Sequence, residues 1–347
     1  MIEDDLDPYE GYEPRVRPSK GGSKPRSKNR PQHEDAEQGL VIAVDRGRYR
    51  VILEENTEGE RLLTCTRARE LRSQAIVTGD IVDVVGDTTG AEGSLARIVR
   101  IHPRKTVLRR SADDSDTFER IIVANADQLL MVVAAASPEP RMRLVDRYLV
   151  AALDAGITPI LCITKTDLAS GEELRRYVQD AGVQVVERSP DRPARDDLVA
   201  VLTDHITVAV GHSGVGKSTL VNDLVPGADR AVGDVNDVTG RGRHTSSSSQ
   251  ALRIPEGGWV IDTPGVRSFG LGHVSKTSIV EGFPELLPFT LECPKGCTHL
   301  EDSSECFLVQ ALAEGTLTDQ EAARAHSLQR LMATLQEGPE HQSGSGS

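Results

Sequence analysis

Aromatic residues are scarce in this chain of 347 residues. They make up 3% of it, against 27% charged residues. So little aromatic surface beside so much charge speaks against an all-β protein and suits a soluble α/β chain. Long apolar runs are also missing: no segment approaches the roughly 18 residues of a membrane span. The acidic start, MIEDDLDPYEGYE, has no apolar centre for a secretory signal. Positive charge is not in excess. With a formal net charge of -13, the whole molecule is no general polyanion binder, and a nucleic-acid partner must be met by a local patch. Cysteine is sparse, with five residues, three of them between Cys293 and Cys306. That usage fits a reducing compartment and a metal site better than a disulfide framework. Cys65 and Cys162 each sit alone in an apolar run and read as small buried residues. The expectation is a cytoplasmic monomer with no membrane contact and two or three domains.

Composition changes along the chain. Residues 1–36 have few apolar side chains and much Pro, Gly and Ser, so they are expected to be a disordered tail. Between Arg15 and Arg30 this tail carries basic residues with no acid among them. It either contacts phosphates without reading sequence or keeps the protein soluble. Over 37–107 come short alternating runs, LVIAV, YRVIL, RLLTCT, DIVDVV and LARIVRI, separated by turn residues. They predict a small barrel of the OB type. Arg46, Arg48, Arg50, Arg67, Arg69 and Arg72 supply local positive charge there, with Tyr49 the one stacking candidate. Contact with an RNA backbone and a charged surface with no ligand both fit. Over 115–278 the rhythm becomes strand, helix, strand, as in a doubly wound parallel sheet. Residues 279–336 read as a separate, mainly helical piece that opens on the cysteine cluster, and 337–347 as a flexible tail.

Inside the α/β stretch, the strand ITVAV leads into GHSGVGKST and a helix beginning KSTLVNDLV. Gly211-x4-Gly216-Lys217-Ser218 is the phosphate-loop pattern in the context it requires. Backbone N–H groups and the helix N-terminus would cradle phosphates, Lys217 would bridge the β- and γ-phosphates, and Ser218 would offer a hydroxyl to Mg²⁺. The expected binding set is Gly211, Ser213, Gly214, Val215, Gly216, Lys217, Ser218 and Thr219. The loop says nucleoside triphosphate but not which base.

Thr164-Lys165-Thr166-Asp167 closes the strand TPILCIT, at the edge where open parallel sheets bind ligands. A carboxylate at Asp167 can accept from guanine N1–H and its 2-amino group, a donor pair adenine lacks. Lys165 can lie along the base. WVIDTPG places Asp262 at another strand end, suited to a Mg²⁺ water, with Gly265 able to meet the γ-phosphate. Between phosphate loop and DTPG lies the polar stretch GDVNDVTGRGRHTSSSS, read as a mobile switch. Thr245, or else Ser246, is its candidate second Mg²⁺ hydroxyl.

The order is reversed relative to an ordinary GTPase, in which the phosphate loop precedes the base reader. Parallel strands can be relinked without moving their ends, so one site on a circularly permuted sheet explains both motifs. With ANADQ (124–128), DRYLVAA (146–152), TKTDL (164–168), GHSGVGKSTL (211–220), GRGRHTS (240–246), DTPGVRSFGL (262–271) and the cysteine cluster, the chain resembles the circularly permuted small-subunit-dependent GTPases of bacteria over about residues 38–335. The resemblance implies an OB barrel, a permuted GTPase domain and a C-terminal zinc domain. It further implies GTP hydrolysis tied to late maturation of the small ribosomal subunit, with its rRNA as partner. Thr164 stands where the family usually has Asn, which removes an amide that braces the nucleotide loops. Thr245-Ser246 replaces Thr-Thr, and Ser189-Pro190 is a poor match to the last guanine loop.

After Gly265 comes Val266, where many GTPases have a water-orienting Gln, so a slow intrinsic rate stimulated by the subunit is expected. His244 is the candidate the resemblance suggests for that work, against a surface histidine with no part in catalysis. Cys293, Cys297, His299 and Cys306 offer a full tetrahedral set for one structural Zn²⁺. Its spacing has a shorter first gap and a longer last one than the family's. Two rival readings are an RNA-binding adaptor with a structural nucleotide and an ATP-dependent enzyme. Turnover separates the first, and TKTD argues against the second.

Overall fold

The computed structural model describes residues 33–111, 119–228, 249–263, 271 and 274–336. The whole N-terminal basic stretch, most of the switch, Gly265 and the C-terminal tail lie outside the described residues, as do His244, Thr245 and Ser246.

The first layer is a barrel. Its strands are β1 (Glu37–Asp45), β2 (Arg48–Leu53), β3 (Arg61–Arg67), β4 (Ile81–Gly86) and β5 (Ala96–Ile101). They follow the order β1-β2-β3-β5-β4, and β4 returns to pair with β1. Only β3 and β5 run parallel within it. Alternation explains the strands: Tyr49, Val51 and Leu53 point into the barrel core while Arg48 and Arg50 point out. Tyr49 corrects the expectation of a stacking platform. It is 5% exposed and packs inside the barrel, because it shares the parity of Val51 and Leu53.

A hairpin follows, β6 (Val107–Ser111) against β7 (Glu119–Ala124). It straddles the stretch expected to link barrel and sheet. Its alternation is too brief and too broken by Arg109 and Arg110 to stand out in the sequence.

The second layer is the α/β sheet. Its strands are β8 (Gln128–Ala134), β9 (Thr158–Thr164), β10 (Gln184–Glu187), β11 (Ile206–Val210), β12 (Gln250–Arg253) and β13 (Trp259–Asp262). The order is β10-β9-β8-β11-β13-β12. All neighbours are parallel except β12, which runs antiparallel to β13. The two faces are read by parity. Leu129, Met131 and Val133 join α1 (Met142–Asp154) and α2 (Glu172–Gln179) in one core. Leu130, Val132 and Ala134 join α3 (Arg195–Leu202) and α4 (Lys217–Leu224) in another. With both faces covered, β8 is apolar at nearly every position. In α1, Val145, Tyr148, Leu149 and Ala152 recur at helical spacing and are all buried.

Barrel and sheet are continuous. Ala43 of β1 pairs with Gln250 of β12, and Leu40 and Ile52 of the barrel pack in one apolar cluster with Ala251 and Trp259. Arg253 forks onto Glu60 at 2.9 and 2.7 Å, and Trp259 Nε1 donates to Glu55 at 2.6 Å. Thr78 donates to the Ser249 carbonyl at 2.8 Å.

The C-terminal helices are α5 (Lys276–Glu281), α6 (Leu287–Thr290), α7 (Phe307–Glu314) and α8 (Asp319–Gln336). Expected as a separate piece, they share their core with the sheet: Ala325, Leu328, Leu331 and Met332 of α8 cluster with Val145, Tyr148 and Leu149 of α1. Burying each leucine contributes on the order of 2 kcal/mol. A polar lock sits beside this seam. Buried Asp146 accepts from Tyr177 at 2.5 Å and from Arg330 at 3.1 Å, and the Arg330 guanidinium lies 4.1 Å from the Tyr177 ring centre. No helix among the described residues is long and apolar enough to cross a membrane.

Candidate functional site

The base-reading loop and the phosphate loop leave the same edge of the sheet. β9 ends at Thr164 and β11 at Val210, with β8 between them. This is the strand arrangement that opens a crevice at the carboxyl ends of a parallel sheet.

The phosphate loop needs its glycines. A side chain at Gly211 would lie 2.6 Å from the Val132 carbonyl oxygen, so the loop passes too close to β8 for any other residue. Gly216 has φ 91 and forms the N-cap of α4. Val215 is fully buried among the apolar residues of α4's face, which anchors the loop, while Ser213, Gly214, Ser218 and Thr219 are exposed. Lys217 forms an ion pair with Asp262 at the end of β13, joining two of the expected residues. Thr263 donates to the Ala209 carbonyl at 3.0 Å and holds the start of the DTPG loop on β11.

Thr164 is buried, and its hydroxyl donates to the Val215 carbonyl at 2.5 Å. Thus the residue that lacks the usual amide still fastens the reader loop to the phosphate loop. Lys165 has φ 56 and donates from Nζ to the Ser137 carbonyl. Asp167 is exposed on the rim of this loop. Thr166 donates from its hydroxyl to the Arg188 carbonyl at 3.1 Å, tying the loop to the end of β10. Ser189 is taken up locally: its hydroxyl accepts from the Arg192 N–H at 3.1 Å. Sequence reading missed Ser137, Arg188 and Asp223. Arg188 at a strand's carboxyl end was a weak signal, and Ser137 and Asp223 had none.

The cysteine cluster is a second site. The ligand atoms of Cys293, Cys297, His299 and Cys306 all lie within 4.8 Å of one another. The Cys293 and Cys306 sulfurs are 3.8 Å apart, and Cys306 Sγ is 3.5 Å from His299 Nδ1. A tetrahedron with metal–sulfur bonds of about 2.3 Å has edges of about 3.8 Å, so the donors fit a Zn²⁺-sized ion. His299 has φ 57, a turn that brings its ring back among the thiols. Burial lowers its pKa, which keeps it neutral as a ligand must be. Burial pushes the Cys306 thiol up to about 12, and only a nearby cation would let it ionise. By contrast Cys65 and Cys162 are buried apart from this cluster, each thiol pushed up to about 12 by burial.

Comparison with known proteins places the chain in a family. A family model described as RsgA GTPase matches residues 101–272. The small ribosomal subunit biogenesis GTPase RsgA of Pseudomonas aeruginosa (strain LESB58) is 38% identical over 271 residues, 76% of this chain and 77% of that protein. The protein of the same name from Azotobacter vinelandii is 36% identical over 311 residues, 87% of each. Among solved structures, YjeQ from Thermotoga maritima aligns with a TM-score of 0.63 at 24% identity, covering 87% of this chain and 99% of that one. YloQ, described as a circularly permuted GTPase, aligns at 0.60 and 22% identity, covering 88% and 98%. The two structures speak for the fold alone. Identity above a third, sustained over three quarters or more of both chains, carries the assignment further: this chain belongs to the RsgA GTPase family.

Proposed function

We propose that the protein hydrolyses GTP to GDP and phosphate and assists late maturation of the small ribosomal subunit, with a slow intrinsic rate that the subunit stimulates. One observation carries the nucleotide half: Thr164 of the reader loop bonds directly to Val215 of the phosphate loop, so two motifs 51 residues apart form one edge. The names of the relatives carry the ribosomal half.

In this reading Gly211, Ser213, Gly214, Val215, Gly216, Lys217, Ser218 and Thr219 wrap the phosphates, and Thr164, Lys165 and Asp167 select guanine. Asp167 accepts the N1–H and amino hydrogens of the base. Lys217, turned from Asp262 to the γ-phosphate, offsets the charge that develops there. Ser218 and Thr245 directly, and Asp262 through water, would hold a Mg²⁺ ion, which would neutralise phosphate charge. Gly265 meets the γ-phosphate and His244 orients the attacking water. These roles for Thr245, Gly265 and His244 rest on the sequence. Zn²⁺ on Cys293, Cys297, His299 and Cys306 is structural: four protein donors leave no open position for chemistry.

We further assign an OB-type rRNA-binding barrel to 37–107, the permuted GTPase domain to 115–278 and the zinc-binding region to 279–336, in a cytoplasmic monomer without membrane contact. The test is GTP turnover by the purified protein, alone and with small ribosomal subunits, with ATP as control. Stimulation confined to GTP is expected. Tight subunit binding in every nucleotide state with no stimulated turnover would replace this reading with that of an RNA-binding adaptor.

A further inference from the structure

Arg188 sits at a junction that the motifs do not mention. β10 pairs in parallel with β9, Glu187 beside Ile163, so Arg188 lies beside Thr164 at the carboxyl edge. Its backbone holds the reader loop from both ends. The Arg188 N–H donates to the Ile163 carbonyl at 2.8 Å, and its carbonyl accepts from Thr166 N at 3.3 Å and Thr166 Oγ1 at 3.1 Å.

The side chain goes the other way. Arg188 is 8% exposed, and its Nη2 donates to Asp223 near the end of α4, the helix that begins with Lys217 and Ser218. Arg195 holds the same turn of α4, donating to the Asp223 and Leu224 carbonyls at 2.9 and 3.4 Å. Arg188 Nη1 is buried with no acceptor among the described residues. A guanidinium buried with a donor unmet is a poor device for stability, and an apolar side chain would fill the place at lower cost. What Arg188 adds is a rigid link: a planar group spanning from the base-reading strand edge to the phosphate-loop helix.

We propose that Arg188, through Asp223, is a positioning residue of the nucleotide site. It fixes the distance between the loop that selects the base and the helix that carries the phosphate-binding Lys217 and Ser218. A nucleotide touches both at once, so a loose link weakens binding of the whole molecule more than it slows the chemical step. The inference rests on the nucleotide reading above.

The test compares the full chain with Arg188→Met, Arg188→Lys, Asp223→Asn and the Arg188→Met/Asp223→Asn pair, using a fluorescent GTP analogue for affinity, steady-state turnover and thermal melting. Met keeps the stem's volume and removes the charge. Arg188→Met should weaken GTP binding about tenfold and raise KM in step, with kcat changed less than about threefold. Lys should recover most of the affinity, and the double variant should be no worse than the single ones. Unchanged affinity in Arg188→Met, whatever its melting temperature, overturns the proposal and leaves an ion pair of purely structural value. Additive losses in the double variant would overturn the route through Asp223. Should the unmodified chain fail to bind GTP, the nucleotide reading itself falls, an outcome distinct from a wild type that binds and a Met variant that binds equally well.

Discussion

The carboxyl edge of the sheet and the seam under α8 are both rich in polar side chains, and they treat them oppositely. At the edge, Ser213, Ser218, Thr219 and Asp167 face outward, and the few bonds made there join loop to loop. Under α8 the polar groups turn inward. Asp146 is 3% exposed and takes hydrogen bonds from Tyr177 and Arg330, while Arg324 lies 4.7 Å from the Phe283 ring centre and donates to the Asp180 carbonyl at 3.2 Å. A site must leave donors and acceptors open for its ligand, whereas the seam turns most of its own toward one another, with Arg330 Nη2 and Gln329 Oε1 left without a partner among the described residues. Polar density alone therefore does not distinguish a binding edge from a support, but the direction of the bonds does.

That contrast can be broken at the support. The largest effect is expected from metal removal: structural zinc is worth on the order of 10 kcal/mol in small metal-folded peptides. Because α7 starts right after Cys306, a strong chelator or Cys306→Ser should loosen the C-terminal helices and lower the melting temperature by roughly 10 °C. Calorimetry with zinc add-back checks this, and an unchanged transition would mean that the helices hold without metal. Next comes Asp146→Ala, which strands Arg330 at the seam. It should cost about 3 kcal/mol in denaturant unfolding, far more than the substitution of an exposed carboxylate.

The edge should answer differently. Thr164→Ala removes the hydroxyl that fastens Val215, and nucleotide affinity should fall about tenfold. Equilibrium binding checks it, and stability should change by no more than about 1.5 kcal/mol. The smallest effect belongs to the barrel–sheet contact. The side-chain hydrogen bond from Arg253, with help from the Asn56 N–H, lowers the Glu60 pKa below its ordinary 4.5. A lowered acid stabilises the fold above its ordinary pKa and loses that contribution as pH falls through the folded value. Glu60→Gln should therefore cost under about 1 kcal/mol at pH 7 and progressively less in acid, measured by melting across pH.

Much of the edge was legible in the sequence, because its chemistry needs particular residues at fixed spacing. Gly211 and Gly216 are required by close approach and by a positive φ, and the pattern names both. The cysteine cluster was legible for the same reason. The seam was not: that α8 meets α1 depends on which faces remain unpaired after the sheet has formed, and helical spacing says only that a face exists. Thr164 shows a finer limit. Its identity reveals a missing amide, but only geometry shows the hydroxyl reaching Val215. Tyr49 was misread although the parity of Tyr49, Val51 and Leu53 already pointed inward.

The central claim is that reader and phosphate loops make one guanine-nucleotide site on a rewired sheet. Asp167→Asn tests it most directly, with GTP and xanthosine triphosphate compared for affinity and turnover. Asparagine offers a donor where guanine also donates, whereas xanthine presents a carbonyl. Loss of GTP use with gain of xanthosine triphosphate use is the predicted result. GTP binding unaffected by the substitution would contradict the account, since Asp167 would then read no base.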